Sequence, residues 1–186
     1  MNARIICLLL SGLFFVAASG YPVLADVISG PTVDTEPKPF KVQVATGDDA
    51  GREMDYVAQR KDQPTIFIFV QADRFDRPMA RYLRTLDQEL KEKRKDVKVV
   101  AIWMTDDVQK SKDYLPKADQ SLKFEQTVLA VFDGDRNAGP DQWGLNSDAH
   151  LTAVLVSGNK VDASIGYRSL NETDVPDVMK KLKPAK

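Results

Sequence analysis

The sequence predicts an α/β fold of three layers, a mostly parallel central sheet between helices, closed by a C-terminal β-hairpin and helix. Three observations carry this. Residues 65–70 read Thr-Ile-Phe-Ile-Phe-Val, apolar at every position after the threonine, as a strand covered on both faces must be. Runs of that kind alternate with runs of helical periodicity from residue 40 to residue 182. Ser157-Gly158-Asn159 parts two apolar-rich runs, 151–156 and 160–167, as a hairpin turn does.

Taken in order, Arg4 precedes an apolar run at 5–18, and Val23-Leu24-Ala25 follows with small residues where a signal peptidase reads. Residues 1–25 therefore predict a secretory signal peptide cut before Asp26. The apolar run is too short for a span, which needs roughly 20 residues. A lipoprotein signal would place a cysteine where Asp26 stands. Pro31, Pro37 and Pro39, among Ser, Thr and Asp, make residues 26–39 a flexible, solvated leader. Residues 40–186 are then the folded domain.

Within it, alternating apolar character at 40–44 predicts a first strand, and 50–60 a short helix. After the buried run at 65–70, Met79, Leu83, Leu86 and Leu90 line one side of a helix over 77–95. Asp87 with Lys91 and Glu89 with Lys93 are acid-before-base pairs expected on its outer face. Residues 97–103 form the next apolar strand. Thr105, Asp106 and Asp107 suit the cap and first turn of a helix that Pro116 should stop near residue 115. A short buried strand at 127–132 and the hairpin follow. Thr173 and Asp174 open a last helix with Val175, Val178, Met179 and Leu182 on one face and Pro176 in its first turn.

Composition excludes several function classes. Of 186 residues, 43% are hydrophobic and 28% charged, with 26 Lys+Arg against 27 Asp+Glu, too balanced for a basic nucleic-acid binder. The aromatics are dispersed and form no basic-aromatic surface for nucleic acid. Signal cleavage would remove Arg4 and the only cysteine, Cys7. The exported chain would then have no thiolate nucleophile, no dithiol exchange, no disulfide and no cysteine metal site.

The order of elements, and several local strings, resemble the thioredoxin-like superfamily, nearest its redoxin or peroxiredoxin branch. The strand at 66–70 leads through Gln71-Ala72-Asp73-Arg74-Phe75-Asp76 to Arg77-Pro78 and a long helix. Trp143-Gly144-Leu145 is similar to the family's aromatic-Gly-aliphatic step, and His150-Leu151-Thr152 to its cis-proline step. Gly158-Asn159-Lys160-Val161 resembles its hairpin turn, and 112–132 ending at Asp133 the redoxin insertion. The resemblance covers residues 40–182. It places Arg77 where the first redox cysteine would fall, and Leu151 where the cis-proline would. Thiol oxidoreductase or peroxidase activity is therefore not expected, since activity belongs to a site and not to a fold.

Arg74, Arg77 and Arg81 crowd the start of that helix, and the fold would set them beside His150 at the sheet's carboxyl edge, where α/β sheets usually hold ligands. They are the candidate ligand-binding residues, for a small anion or an acidic polypeptide. Asp133, Asp135 and Asn137 match the first three ligand positions of a calcium loop, but Ala138 and Gly144 replace its glycine and bidentate glutamate. No phosphate loop, nucleophile elbow or zinc-spaced histidine pair is present, and no cofactor is expected. The reading is an exported, periplasmic or secreted, non-catalytic binding or accessory module, using the former active-site groove for an unidentified protein or small anion. It has no membrane span once the signal is cut. The alternatives are a non-thiol enzyme built on Arg77, Arg81 and His150, and a calcium-stabilised envelope protein.

Overall fold

In the central strand Ile66, Ile68 and Val70 belong to one apolar cluster and Phe67 and Phe69 to another, and all five are buried. Two-sided burial puts this strand in the middle of a sheet. A computed structural model describes residues 27–184; the expected export signal at 1–25 lies outside the described residues. The elements are β1 (Val42–Val44), β2 (Glu53–Met54), α1 (Tyr56–Arg60), β3 (Thr65–Gln71), α2 (Arg77–Lys93), β4 (Lys98–Met104), α3 (Val108–Leu122), β5 (Thr127–Phe132), β6 (Leu151–Ser157), β7 (Lys160–Tyr167) and α4 (Val175–Lys181). Short 3-10 turns at Ala72–Arg74 and Glu172–Asp174 precede α2 and α4.

The strands form one mixed sheet in the order β2-β1-β5-β4-β3-β6-β7. Its centre, β5-β4-β3, is parallel, and both flanks are antiparallel. The crossovers β3-α2-β4 and β4-α3-β5 step the same way along the sheet. Right-handed connection therefore sets α2 and α3 on one face. There Tyr82, Leu86 and Leu90 of α2, Leu115 of α3 and Val178 of α4 share a cluster with Ile66, Val99 and Ala153. The opposite face is covered by α1 and by irregular chain. Trp143, fully buried, stands with its ring centroid 5.4 Å from Phe67, 5.1 Å from Phe69 and 4.8 Å from Phe40.

The hairpin turns at Gly158 and Asn159, with φ of 55° and 60°. A left-handed pair in a two-residue loop matches the twist of the strands it joins. The 50–60 segment divides: β2 comes first, then α1, capped by the Asp55 carboxylate, which accepts from Ala58 N–H at 3.0 Å.

Three local expectations are corrected. Asp87 does not sit on the outer face of α2. It is buried, and its carboxylate accepts from Glu125 N–H, Gln126 N–H and the Thr127 hydroxyl at 3.0, 2.9 and 2.7 Å. Lys91 reaches across to Glu125 instead, at 2.6 Å, while Glu89 and Lys93 do pair on the helix surface. Secondly, α3 starts after Asp107, whose carboxylate accepts from Lys110 N–H, and runs through Pro116 to Leu122. The proline deletes one backbone donor, but buried Leu115 and Ala118 on either side anchor both halves.

The third correction concerns residues 26–39, of which 27–39 are described. Their prolines do keep regular structure out and most of the segment is exposed to solvent, but its backbone is tied to the domain and is not free. Val27 bridges Gly166, Asp34 N–H donates to Val161 C=O at 2.8 Å, and Val161 N–H donates to Thr35 C=O at 2.9 Å. An edge strand such as β7 leaves backbone groups unpaired, and this strap supplies their partners. Gly166 makes the crossing possible, because a Cβ there would lie 2.5 Å from Val27 O.

Candidate functional site

The step from β3 to α2 sets the geometry. Gln71 N–H donates to His150 C=O at 3.0 Å, and His150 N–H donates to Tyr167 C=O at 2.7 Å. The backbone of His150 thus ties the end of β3 to the start of β6 and the end of β7. Its imidazole is half-buried and makes no hydrogen bond among the described residues. Leu151 is fully buried opposite Val70.

Asp76 caps α2, accepting from Met79 N–H at 2.9 Å, and Pro78 occupies its first turn. Arg77 is exposed at the first helical position and has no ion pair among the described residues. The neighbouring arginines turn elsewhere. Arg74 lies 3.9 Å from Asp73, and Arg81 donates to Glu172 at 2.9 Å. The guanidinium of Arg81 holds the Glu172 carboxyl below its ordinary value, through the hydrogen bond first.

The calcium-like loop is organised around its own backbone. Asp135 accepts from Asn137 N–H at 2.8 Å and Ala138 N–H at 3.4 Å, an Asx turn, while Asp133 and Asn137 are exposed. Among the described residues no group of three or more His, Cys, Asp or Glu side chains stands ready for a metal.

What the loop delivers instead is Arg136. Its guanidinium lies 3.3 Å from Asp73, after β3, and 3.0 Å from Asp106, after β4. Its backbone C=O accepts from Gln71 Nε2 at 3.3 Å. This bridge closes one end of a cleft of about 390 Å³ on the helical face, lined by Phe75, Trp103 and Tyr114. Phe75 lies 5.0 Å from Trp103 and 6.5 Å from Tyr114, with the rings tilted by 60° and 71°. Tyr114 is among the few large apolar side chains left open to solvent, at 45% exposure. A second cavity, about 580 Å³, lies at the other pole, between the start of β3, the β6–β7 turn and the C-terminal segment. It is larger but remote from the carboxyl edge where this class of sheet holds ligands.

Sequence reasoning did not find the cleft. Trp103 reads as strand, Tyr114 as helix and Arg136 as loop, and only the fold joins them. The available signal was Trp103 followed by Thr105-Asp106-Asp107, an aromatic and polar groups at a strand's carboxyl end.

No protein-family model and no curated protein sequence matches the chain. Solved structures do match it. A protein assigned as the thiol:disulfide interchange protein DsbE from Chlorobium tepidum superposes with a TM-score of 0.57 at 16% identity, over 81% of this chain and 95% of that one. Peroxidoxin BcpB from Mycobacterium tuberculosis gives 0.57 at 14%, over 81% and 96%. The exposed lipoprotein thioredoxin Etrx1 from Streptococcus pneumoniae gives 0.54 at 12%, over 78% and 100%. The fold is thioredoxin-like. In this thioredoxin-like domain β3 runs through residues 72–76 into α2. Arg77 stands at the helix start, and the chain's single cysteine, Cys7, lies outside the described residues. A single cysteine in the chain fits a non-redox variant of the fold.

Proposed function

We propose that this is an exported thioredoxin-like binding module without thiol chemistry, and that its recognition surface is the cleft between Phe75, Trp103 and Tyr114. The observation that carries the reading is the position of that cleft. It opens at the carboxyl edge of the parallel strands β3 and β4, beside the 72–76 loop, in a domain without cysteine. Export is supported by the order of residues 1–25, and one structural relative is itself an exposed lipoprotein. Among the described residues no helix is long and apolar enough to cross a membrane.

The test is thermal unfolding of the purified protein against small cations, small anions and acidic and basic peptides. A ligand at 100 times its dissociation constant adds about 2.7 kcal/mol. That shifts the midpoint by about 2–4 °C per kcal/mol. A shift abolished by Tyr114→Glu places recognition in the cleft. A shift that survives Tyr114→Glu and disappears with Arg77→Glu moves the site to the start of α2 and overturns the cleft assignment. N-terminal sequencing of the exported protein should begin at Asp26; Met1 would overturn export with cleavage.

A further inference from the structure

We infer that the chain has a binding site for inorganic phosphate in a cavity of about 270 Å³ between α1, residues 48–49 and the start of β4. It lies at the opposite end of β4 from the cleft, and the inference stands apart from the cleft reading. The first argument is two cations that line the cavity without a carboxylate partner. Lys98, half-buried at the first position of β4, has no ion pair among the described residues. Arg60, half-buried at the end of α1, is held by neutral oxygens: Nε donates to Thr65 Oγ1 at 3.0 Å, and Nη2 to the C=O groups of Pro64 at 3.2 Å and Asp96 at 3.5 Å. Burial lowers the Lys98 ammonium from its ordinary value, and Arg60 lowers it further; Asp48, Asp87 and Asp49 offset this only in part. Burial lowers Arg60 as well. A bound anion would relieve both effects, replacing lost hydration with charge-assisted hydrogen bonds and offsetting the repulsion.

The second argument is Tyr56. It lines the same cavity, is only 5% exposed, and its hydroxyl has no hydrogen-bond partner among the described residues. Burial first, and then Asp49, push that phenol up to about 12, so it stays a neutral donor. A buried hydroxyl left unpaired is costly, and an oxygen of a bound anion would supply its acceptor. Gln59 and Gln63, both exposed, add amide donors at the rim.

The carboxylates at the cavity select the kind of anion. Asp49 is paired with Arg52 at 3.2 Å, whereas Asp48 is exposed and has no ion pair among the described residues. Sulfate carries acceptors only and would set them against that free carboxylate. Hydrogenphosphate keeps one O–H at neutral pH. The Asp48 carboxylate accepts it, while the other phosphate oxygens take the donors of Arg60, Lys98 and Tyr56. The volume falls below the roughly 300–1,000 Å³ of pockets for drug-sized ligands and suits a small ion.

Phosphate and sulfate, titrated separately into the purified protein at neutral pH and constant ionic strength, with chloride as the balancing anion, decide the matter. The readout is the NMR shifts of the Gln59, Gln63 and Lys98 side chains. Saturable phosphate binding is expected, with sulfate weaker by at least about ten-fold. Lys98→Gln should weaken phosphate by at least about ten-fold, and Lys98→Arg should bind it more tightly than Lys98→Gln does. Asp48→Asn, which removes the acceptor and leaves the cations in place, should bring the two anions to within about three-fold of each other. No saturable phosphate response below about 10 mM overturns the site. Equal binding of the two anions by the parent overturns the phosphate assignment. A phosphate response that Lys98→Gln leaves unchanged puts the anion elsewhere and overturns the cavity. None of these outcomes bears on the cleft, which Tyr114→Glu tests on its own.

Discussion

The hydroxyl of Ser29 lies 2.6 Å from the hydroxyl of Thr152, both residues buried, across 123 residues of chain. Ser29 Oγ also accepts from Asn146 N–H at 3.0 Å, and Gly30 N–H donates to Gly144 C=O at 3.1 Å. Further on, Lys38 C=O accepts from the Trp143 indole at 2.9 Å. The segment that leads into the domain therefore clamps the irregular chain between β5 and β6 onto the sheet. Ser29→Ala leaves the Thr152 hydroxyl and Asn146 N–H without this partner. A loss of about 1–3 kcal/mol is expected in urea unfolding. Gly166→Ala should push the Val27–Ser29 end of the strap off the β7 edge and open that end to limited proteolysis. A variant as stable and as protease-resistant as the parent would show that the strap contributes nothing.

Asp87 is the second non-local tie. Its carboxylate receives three donors from the start of β5 and so fixes α2 over the sheet. Hydrogen bonds to a charged group contribute about 1.5–3 kcal/mol each, and a buried donor left unpaired costs about 1–3 kcal/mol. Asp87→Ala should cost at least about 3 kcal/mol, read as a fall in the denaturant midpoint. Lys91→Ala, which removes only an exposed ion pair with Glu125, should cost less than about 1 kcal/mol. Equal losses would place Asp87 on the solvent face after all.

The contrast between these two residues marks what the sequence makes legible. The strands were readable because burial on both faces leaves an uninterrupted apolar run, as at Ile66–Val70, and the hairpin because Gly158-Asn159 is a backbone requirement. Asp87 was not. Its spacing to Lys91 is that of a surface pair, and the three donors that bury it come from residues 38 to 40 positions away. The strap was hidden for the same reason: Pro31, Pro37 and Pro39 report the lack of local structure and say nothing of the β7 edge. The candidate site was the least legible part. A cluster of arginines at one helix start suggested an anion site; Arg74 lies beside Asp73 and Arg81 donates to Glu172, while Arg77 has no ion pair among the described residues. The cleft draws on four separate segments, from Ala72 to Arg136.

Tyr82 of α2 and Tyr167 at the end of β7 pack with ring centroids 6.2 Å apart and planes tilted by 56°, and neither hydroxyl has a hydrogen-bond partner among the described residues. Burial raises both phenols above their ordinary value of 10.0, and each is further raised by Asp174 and Asp177. The folded state thus keeps protons that the unfolded chain releases, so this contribution is full below pH 10.0 and is lost as pH rises beyond it. Tyr82→Phe removes an unpaired oxygen, and stability at neutral pH should stay level or rise by up to about 1 kcal/mol. The alkaline limb of a pH–stability curve should become shallower in the same variant. Destabilisation of more than about 1 kcal/mol at neutral pH would mean that the hydroxyl is bonded.

Arg81 and Glu172 supply a test at the acid end that also bears on the start of α2. Both side chains are largely exposed, and the Arg81 hydrogen bond holds the Glu172 carboxyl below its usual 4.5. Around that pH the unfolded chain binds more protons than the folded one at this position. The pair's contribution is therefore present above pH 4.5 and is lost as pH falls through the lower folded value. An NMR titration of the Glu172 carboxyl should give a midpoint below 4.5 in the parent, rising towards 4.5 in Arg81→Gln. Added salt should produce the same direction of change, since an exposed pair is screened. A midpoint unmoved by the substitution would mean that Arg81 is not held by Glu172 in solution. It would then rejoin Arg77 as a cation available to an anion at the start of α2, and the case for that end of the helix would reopen.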